Sequence, residues 1–476
     1  MSIGAVQRQS LISFIWQIAL TAIGFLSNIY FVRTVGTSVL GQYFLFLAYF
    51  SIVGMVTDGG FAGAAIKRIS EGEDQDEYFS AFVVLRLLFV ILVVMMLVVF
   101  RSYFINLNDA DTYIWLLLSL FVAVLFGAVS FGLQGCGKVG IHATGNFANN
   151  FLRIVIQVVA IYLGFGVAGL AGGFVVAMFI AAMVQLRFFD LRLVSFGWKH
   201  IKSLSTFSMW IFLISSGMVV FSTSDTVMIG YYLNDSDVGV YRLVLQFTSL
   251  AAFTMTAFRS TLLPRISRWG KTGEKNLIEI SLSRALTYSL ILAIPMFVGG
   301  FLLGDKLLYY IYGEDVSRGY VTMVILFLVQ ILNIFYYLLS TYLIALDQLK
   351  DLFKATLVAV VANIALNAFL IASIGIAGAA IATFVTMGIN TILTLFFLSK
   401  IMKIVIEKDS LMSILKASFI MLLFVGGYRL CVPLSSLLLV LFPTVLGFIV
   451  YSLSILKYDR KIYEELKNIM MQINVM

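Results

Sequence analysis

Long apolar runs alternate along this chain with short polar interruptions, and that rhythm predicts its elements. Fourteen runs stand out, at about 11–32, 41–66, 80–100, 112–133, 146–164, 167–187, 205–229, 239–263, 285–303, 320–346, 355–374, 376–399, 411–431 and 434–456. Strand-period alternation is absent, so the runs predict helices and exclude a barrel. A helix of about 20 apolar residues satisfies its own backbone hydrogen bonds and crosses a hydrocarbon core of about 30 Å. The longest polar stretches, 67–79, 188–204 and 264–284, are too short to hold a core, so no soluble domain is expected. The acidic run Glu71–Glu77 (EGEDQDE) reads as a solvated loop before it reads as a gate or partner contact. The first run opens after Arg8-Gln9-Ser10, carries Gln17 and Asn28, and lacks a small-residue cleavage site, so it predicts a retained helix. Pro295 with Gly299-Gly300 predicts a bend or break in the ninth run.

The pattern then repeats itself. Arg33 closes one run, a Gly-containing turn leads to Gly41-Gln42-Tyr43, and a run broken at Asp58-Gly59-Gly60 ends on Lys67-Arg68-Ile69-Ser70. Later, Asp235–Asp237 leads to Gly239-Val240-Tyr241 and a run ending on Pro264-Arg265-Ile266-Ser267. Gly41 and Gly239 are 198 positions apart, Ile69 and Ile266 197. A second pair of landmarks agrees: Lys138, Asn149-Asn150 and Gly166-Val167-Ala168-Gly169 match Lys350, Asn363, Asn367 and Gly375-Ile376-Ala377-Gly378. Such Gly-x-Ala-Gly turns reverse the chain and let two helices pack closely. The chain therefore divides into a six-helix bundle at 1–200, its repeat at 201–402, and two extra spans with a tail at 403–476. Six spans return the chain to the same side, which makes the halves parallel repeats, a symmetry typical of alternating-access transporters.

Composition agrees with the bilayer as solvent. The chain is 61% hydrophobic and 12% charged, against about 25% charged in soluble proteins. Charge then sets orientation. With the N-terminus in the cytoplasm, that side's loops hold Lys67, Arg68, Lys138, Arg187, Arg192, Lys199, Lys202, Arg265, Arg268, Lys271, Lys275, Arg284, Lys350, Lys354, Lys400, Lys403, Lys408 and the tail cations Lys457, Arg460, Lys461 and Lys467. The opposite loops hold only Arg33, Arg101, Lys306, Arg318 and Arg429. This bias predicts both termini in the cytoplasm and accounts for the net charge of +8 without nucleic acid. Cys136 and Cys431 read as packing residues, and His142 and His200 build no metal cluster.

The ordered motifs, Arg33…Gly41-x-Tyr43, Asp58-Gly59-Gly60, Lys67-Arg68-Ile69-Ser70, the central Asp225…Gly239-x-Tyr241…Pro264-Arg265-Ile266-Ser267, and Gly375 through Thr383, resemble the polysaccharide flippases. That family exports O-antigen, capsule and exopolysaccharide repeat units, within the wider superfamily of multidrug-and-toxin extruders and the lipid II flippase. The resemblance covers about residues 10–456. It implies an all-α membrane protein of about 14 helices, with two V-shaped six-helix bundles, alternating access and two C-terminal helices outside the duplicated core. It further implies flipping of an undecaprenyl-diphosphate-linked oligosaccharide to the outer leaflet of a bacterial inner membrane, beside a polymerase and a chain-length regulator.

A diphosphate crossing hydrocarbon needs cationic partners, and the planar fork of Arg suits it better than Lys. Arg86, Arg153, Arg242 and Arg259 lie inside expected spans, where charges default to an interior or a pathway, although each could snorkel to a headgroup. Arg33 could contact phosphate on the release side or anchor a helix end. Asp58 and Asp225 are read either as a coupling site for H⁺ or Na⁺ or as structural partners, Asp58 with Arg86 and Asp225 with Arg242. No cofactor, metal or catalytic residue is expected. Two other readings stand beside the flippase. One is an ion-coupled multidrug or metabolite antiporter on the same fold, which would favour acidic and aromatic cavity residues. The other is a membrane glycosyltransferase or polymerase, which would need paired carboxylates near the surface; the short outer loop at 304–319 offers Asp305, Glu314 and Asp315. No Gly-rich nucleotide loop is evident, so energy is expected from an ion gradient or from consumption of product.

Overall fold

The structure, a computed structural model, describes residues 5–103 and 112–464; the end of the tail with Lys467 lies outside the described residues. Among the described residues the regular structure is all helical, without a strand. The first helices are α1 (Ala5–Asp58), α2 (Phe61–Ser70), α3 (Gln75–Val99), α4 (Tyr113–Gly135), α5 (Val139–Tyr162), α6 (Gly166–Leu186), α7 (Trp198–Tyr232) and α8 (Asp235–Ser249). They are followed by α9 (Phe253–Thr272), α10 (Lys275–Tyr312), the short α11 (Glu314–Ser317), α12 (Tyr320–Ala345), α13 (Leu349–Ile374), α14 (Ile376–Ser399), α15 (Lys408–Cys431) and α16 (Leu437–Tyr458).

Among the described residues eleven helices are long and apolar enough to cross a membrane, or twelve if the bent pair within α7 is one span. The expected fourteen are not reached on this test, for two physical reasons. The first two expected spans are two helical stretches of α1 that meet without a linker at a non-helical break at Gly36 (φ 81°, ψ 173°), a backbone region open to glycine alone, and they count as one helix on this test. Helix α5 carries Asn146, Asn149, Asn150, Arg153 and Gln157 and falls short in hydropathy. The expected eighth span is also no single helix: a 3₁₀ turn at Leu250–Ala252 separates α8 from α9.

Packing divides the chain into two compact units, Met1–Arg242 and Leu243–Met476. The first unit takes in α7 and the start of α8, which the repeat assigns to the second half, because α7 packs along α1. Gly230 on α7 admits Leu45, and Gly60 admits the backbone of Ser208. Near the basic loops a core gathers Phe61, Ala65, Ile69, Phe82, Ala128 and Leu204. Ile69 fits against Gly135, and its repeat counterpart Ile266 is likewise fully buried, so each basic-Ile-Ser motif drives one anchor inward beside exposed cations.

The second unit answers the proline question. Helix α10 continues unbroken through Pro295 across Lys275–Tyr312. A proline lacks the N–H that would bond the carbonyl four residues back. That carbonyl, on Ile291, instead accepts the hydroxyl of Tyr451 on α16 at 2.7 Å. Gly300 meanwhile receives the ring of Phe327 on α12. Neighbouring helices thus re-satisfy the backbone, as membrane helices require. The Gly-x-Ala-Gly turns are built alike: Gly166 (φ 53°) and Gly375 (φ 66°) turn the chain, while Gly169 seats against Ala160 and Gly378 against the Leu370 carbonyl.

Candidate functional site

The second half of α1, beyond the Gly36 turn, organises the charged interior of the first unit. Its start crosses the start of α8 at backbone contact. A Cβ on Gly41 would collide with the Asp235 carbonyl oxygen, and one on Gly239 with that of Thr37, so only glycine permits the approach. Polar groups tie the crossing: the Thr37 and Ser236 hydroxyls meet at 2.7 Å, and the Gln42 amide donates to Asp235 at 2.9 Å. The two glycines that mark the sequence repeat therefore lie against each other.

The tyrosines two residues on have different partners. The Gln157 amide on α5 donates to the Tyr43 hydroxyl and to the Leu170 carbonyl, both at 2.7 Å. Tyr241 donates its hydroxyl to the Asp225 carboxylate at 2.6 Å. This corrects the expected pair of Asp225 with Arg242, because Arg242 makes no direct ion pair among the described residues. It lies within electrostatic reach of Asp225 and spreads over the Phe44 ring at 5.6 Å. These tyrosines are the site residues that sequence reasoning passed over, although their shared Gly-x-Tyr motif was the available signal.

Arg86 is the most constrained cation. It is 8% exposed and does not snorkel. Its Nη1 is 3.8 Å from the Asp58 carboxylate, making the expected structural pair at long range. The guanidinium occupies the space that a side chain at Gly127 on α4 would fill, between the rings of Phe82 (5.8 Å) and Phe131 (5.7 Å). Its Nε and Nη1 have no hydrogen-bond acceptor, nor does Asp58 Oδ1 a donor. Asp58 sits at the end of α1, where the backbone N–H groups of Gly60 and Ala62 at the start of α2 face its carboxylate. Arg153, half-buried one turn before Gln157, lies within electrostatic reach of Tyr43, has no ion-pair partner among the described residues, and leaves its own Nε without an acceptor.

Three of the five candidate arginines thus address one stretch of α1, through Phe44, Tyr43 and Asp58. At 1.5 Å per residue that stretch spans about 22 Å, a ladder of cationic positions and not a single pocket. The other two stand apart. Arg259 on α9 belongs to the second unit, over the Tyr337 ring at 5.5 Å. Arg33 is exposed, just before the Gly36 turn. In the second unit, buried amides form a chain in which Asn367 donates to Asn363 at 3.0 Å and Asn363 to Thr386 at 3.2 Å. Among the described residues no group of His, Cys, Asp and Glu gathers as a metal site.

Outside the membrane-spanning segments, Asp74 joins α3 to α7. Its carboxylate accepts from Lys199 Nζ at 2.6 Å and lies 3.1 Å from His200 Nε2. The Lys199 hydrogen bond, then that of His200, hold the Asp74 carboxyl below its ordinary range.

Comparison with known proteins gives a consistent set of likenesses. The family described as "Polysaccharide biosynthesis protein" matches residues 6–269, and the family described as "MatE" matches residues 211–369. The probable low-salt glycan biosynthesis flippase Agl15 of Haloferax volcanii is 28% identical over 452 residues, covering 95% of this chain and 96% of that protein. The probable flippase AglR of the same organism is 28% identical over 399 residues, 83% of each chain. Among solved structures, the lipid II flippase MurJ in an inward closed conformation superposes with a TM-score of 0.77 at 18% identity, over 95% of this chain and 100% of that one. An inward-facing multidrug resistance transporter of the MATE family gives 0.65 at 15% identity, over 80% and 95%. At these identities the structural likenesses show a shared fold.

Proposed function

The chain belongs to the polysaccharide biosynthesis protein family, and from that premise we propose that it is a transporter, not an enzyme, that flips a lipid-linked glycan across the membrane by alternating access. The observation that carries this reading is Arg86, a buried guanidinium whose Nε and Nη1 lack acceptors. Buried polar groups are normally satisfied, and leaving one unmade costs about 1–3 kcal/mol, more when it is charged. A phosphate oxygen arriving beside Arg86 would supply the missing acceptor, and Arg binds phosphate through its fork. Arg153 and Arg242 offer further cationic positions along α1, so a diphosphate moving along that helix would meet paired charge in succession. Arg259 and Arg33 complete the proposed substrate contacts. The glycine crossing of α1 and α8 is the element we expect to part and re-form during the cycle, since two hydrogen bonds and a close backbone contact can be broken without unfolding a helix.

The finer reading is an undecaprenyl-diphosphate-linked repeat unit destined for O-antigen, capsule or exopolysaccharide, in a bacterial inner membrane with both termini cytoplasmic. Its supports are the sequence motifs and the basic-loop bias; the curated relatives, which are haloarchaeal, support the coarser class of glycan flippases. Coupling to H⁺ or Na⁺ would fall to Asp58 or Asp225, and a polymerase and chain-length regulator would be partners. The glycosyltransferase reading loses ground on a specific contact. Asp305 is held by the fork of Arg429, at 3.1 Å from each of two nitrogens, and is not a free acid or base. The antiporter reading keeps a fold-level likeness.

The test is flipping of a short lipid-diphosphate oligosaccharide by the reconstituted chain, with Arg86→Ala and Arg153→Ala beside the parent. The expected result is flipping by the parent and its loss in both folded variants. Normal flipping by both variants would make those arginines structural. Extrusion of an organic cation without lipid movement would transfer the reading to the antiporter.

A further inference from the structure

The polar turn between α9 and α10 encloses a cavity of about 270 Å³ lined by Trp269, Lys275, Ile278, Leu346 and Met402, among others. Its walls are apolar, with Ile278 and Met402 buried. Two glycines open it. Gly273 turns the backbone at φ 74°, and at Gly270 a Cβ would come within 3.1 Å of Leu346 Cδ2. Lys275 lines the cavity, and Arg265, Arg268, Lys271, Lys400 and Lys403, close in sequence to its lining residues, are exposed as it is. Arg265, Arg268, Lys271 and Lys275 have no ion-pair partner among the described residues. Glu274, which accepts the Thr272 hydroxyl at 2.7 Å, and Glu279, which accepts the backbone N–H of Lys403 at 2.8 Å, remain anionic in this neighbourhood but form no ion pair with these cations.

An apolar hollow, a half-buried indole and an excess of cations over acids beside the start of a membrane helix match one kind of occupant. Tryptophan favours the headgroup level of a bilayer, and basic side chains there attract anionic lipids. We propose that this cavity binds an anionic phospholipid of the surrounding leaflet, its phosphate against Lys271, Lys275 and the neighbouring arginines and its upper acyl chain against Trp269 and Ile278. The proposal does not depend on the chain being a flippase.

The probe is phospholipid brominated in the acyl chain just below the headgroup, as phosphatidylglycerol or as phosphatidylcholine, in vesicles holding the full chain. The difference between parent and Trp269→Phe isolates the fluorescence of that one indole. Brominated phosphatidylglycerol is expected to quench it at a lower mole fraction than brominated phosphatidylcholine. Replacing Lys271 and Lys275 by Gln should reduce that preference by about fivefold for each lysine. Equal quenching by the two lipids would overturn the proposal, since it describes an ordinary lipid annulus. So would a preference that survives the double variant. Displacement of the brominated lipid by free glycerol phosphate would also overturn it, by assigning the site to a soluble anion.

Discussion

The two halves use the same Gly-x-Ala-Gly turn, yet two arginines at matching positions meet opposite surroundings. Arg86 on α3 and Arg284 on α10 are 198 positions apart, the same offset as Gly41 and Gly239. Arg86 is buried with two nitrogens lacking acceptors, whereas Arg284 is exposed with its Nε 4.0 Å from Glu407. The turns before these helices are inverted in the same sense. In the first, the acidic run neutralises its surroundings: Glu71 pairs with Arg68 at 2.9 Å, Asp74 with Lys199 at 2.6 Å, and Asp76 accepts the backbone N–H of Arg192 at 2.9 Å. In the second, the cations around Trp269 stay open. At these two equivalent positions, then, one arginine is buried within the helices and the other lies at the surface. Glycine turns and buried isoleucines hold the helices in both halves, while the ion pairs that join helices differ between them.

The sharpest way to break this comparison is to remove both arginines in turn. Arg86→Ala should lower flipping by about a hundredfold, since it deletes charge-assisted hydrogen bonds worth about 1.5–3 kcal/mol each. Arg284→Ala should leave the rate within about twofold, as expected of an exposed pair. Equal effects would show that the repeats share the work. Next in size are the motif tyrosines. Tyr241→Phe strips a donor from a buried carboxylate and should cost about 2 kcal/mol of stability, while Tyr43→Phe, whose partner is a neutral amide, should cost about 1 kcal/mol. Denaturation in detergent read by helical circular dichroism orders the two. The smallest effect is the pH response of the first turn. The Asp74 carboxyl is held low by Lys199 and His200, so its stabilising contribution is fully present above the ordinary aspartate pKa of about 3.9. It is lost as the pH falls through the lower folded value. A shallow decline in melting temperature below about pH 4 should therefore be present in the parent and reduced in Asp74→Asn.

Legibility followed the kind of information each feature carries. The helical class and the Gly-x-Ala-Gly turns were readable, because hydropathy and left-handed backbone are local demands that leave residue-level marks. Asp58 with Arg86 was readable too, from opposite sign at similar depth. The partner of Asp225 was not. Arg242 is adjacent in sequence to Tyr241, and charge favours it on paper, but the helix presents the tyrosine hydroxyl to the carboxylate and turns the guanidinium toward Phe44. Nor could spacing show that Gly41 and Gly239 touch, since a repeat says that two segments are alike and nothing about whether they meet. The break between the first two expected spans was readable as well: the Gly-containing turn after Arg33 is the non-helical Gly36 within α1.

The hydroxyl of Tyr451 on the Ile291 carbonyl has a consequence in time. The carbonyl and its donor are 160 residues apart, and α16 is the last described membrane helix to leave the ribosome. Until it arrives, α10 carries an unmet acceptor in hydrocarbon, opposite its own proline. The bond that completes α10 around its proline is therefore supplied late in synthesis, by a helix far along the chain. A ribosome that stops before Tyr451 would leave a chain with nearly all its spans and one internal bond still waiting, the kind of defect by which membrane quality control could tell an unfinished copy from a finished one.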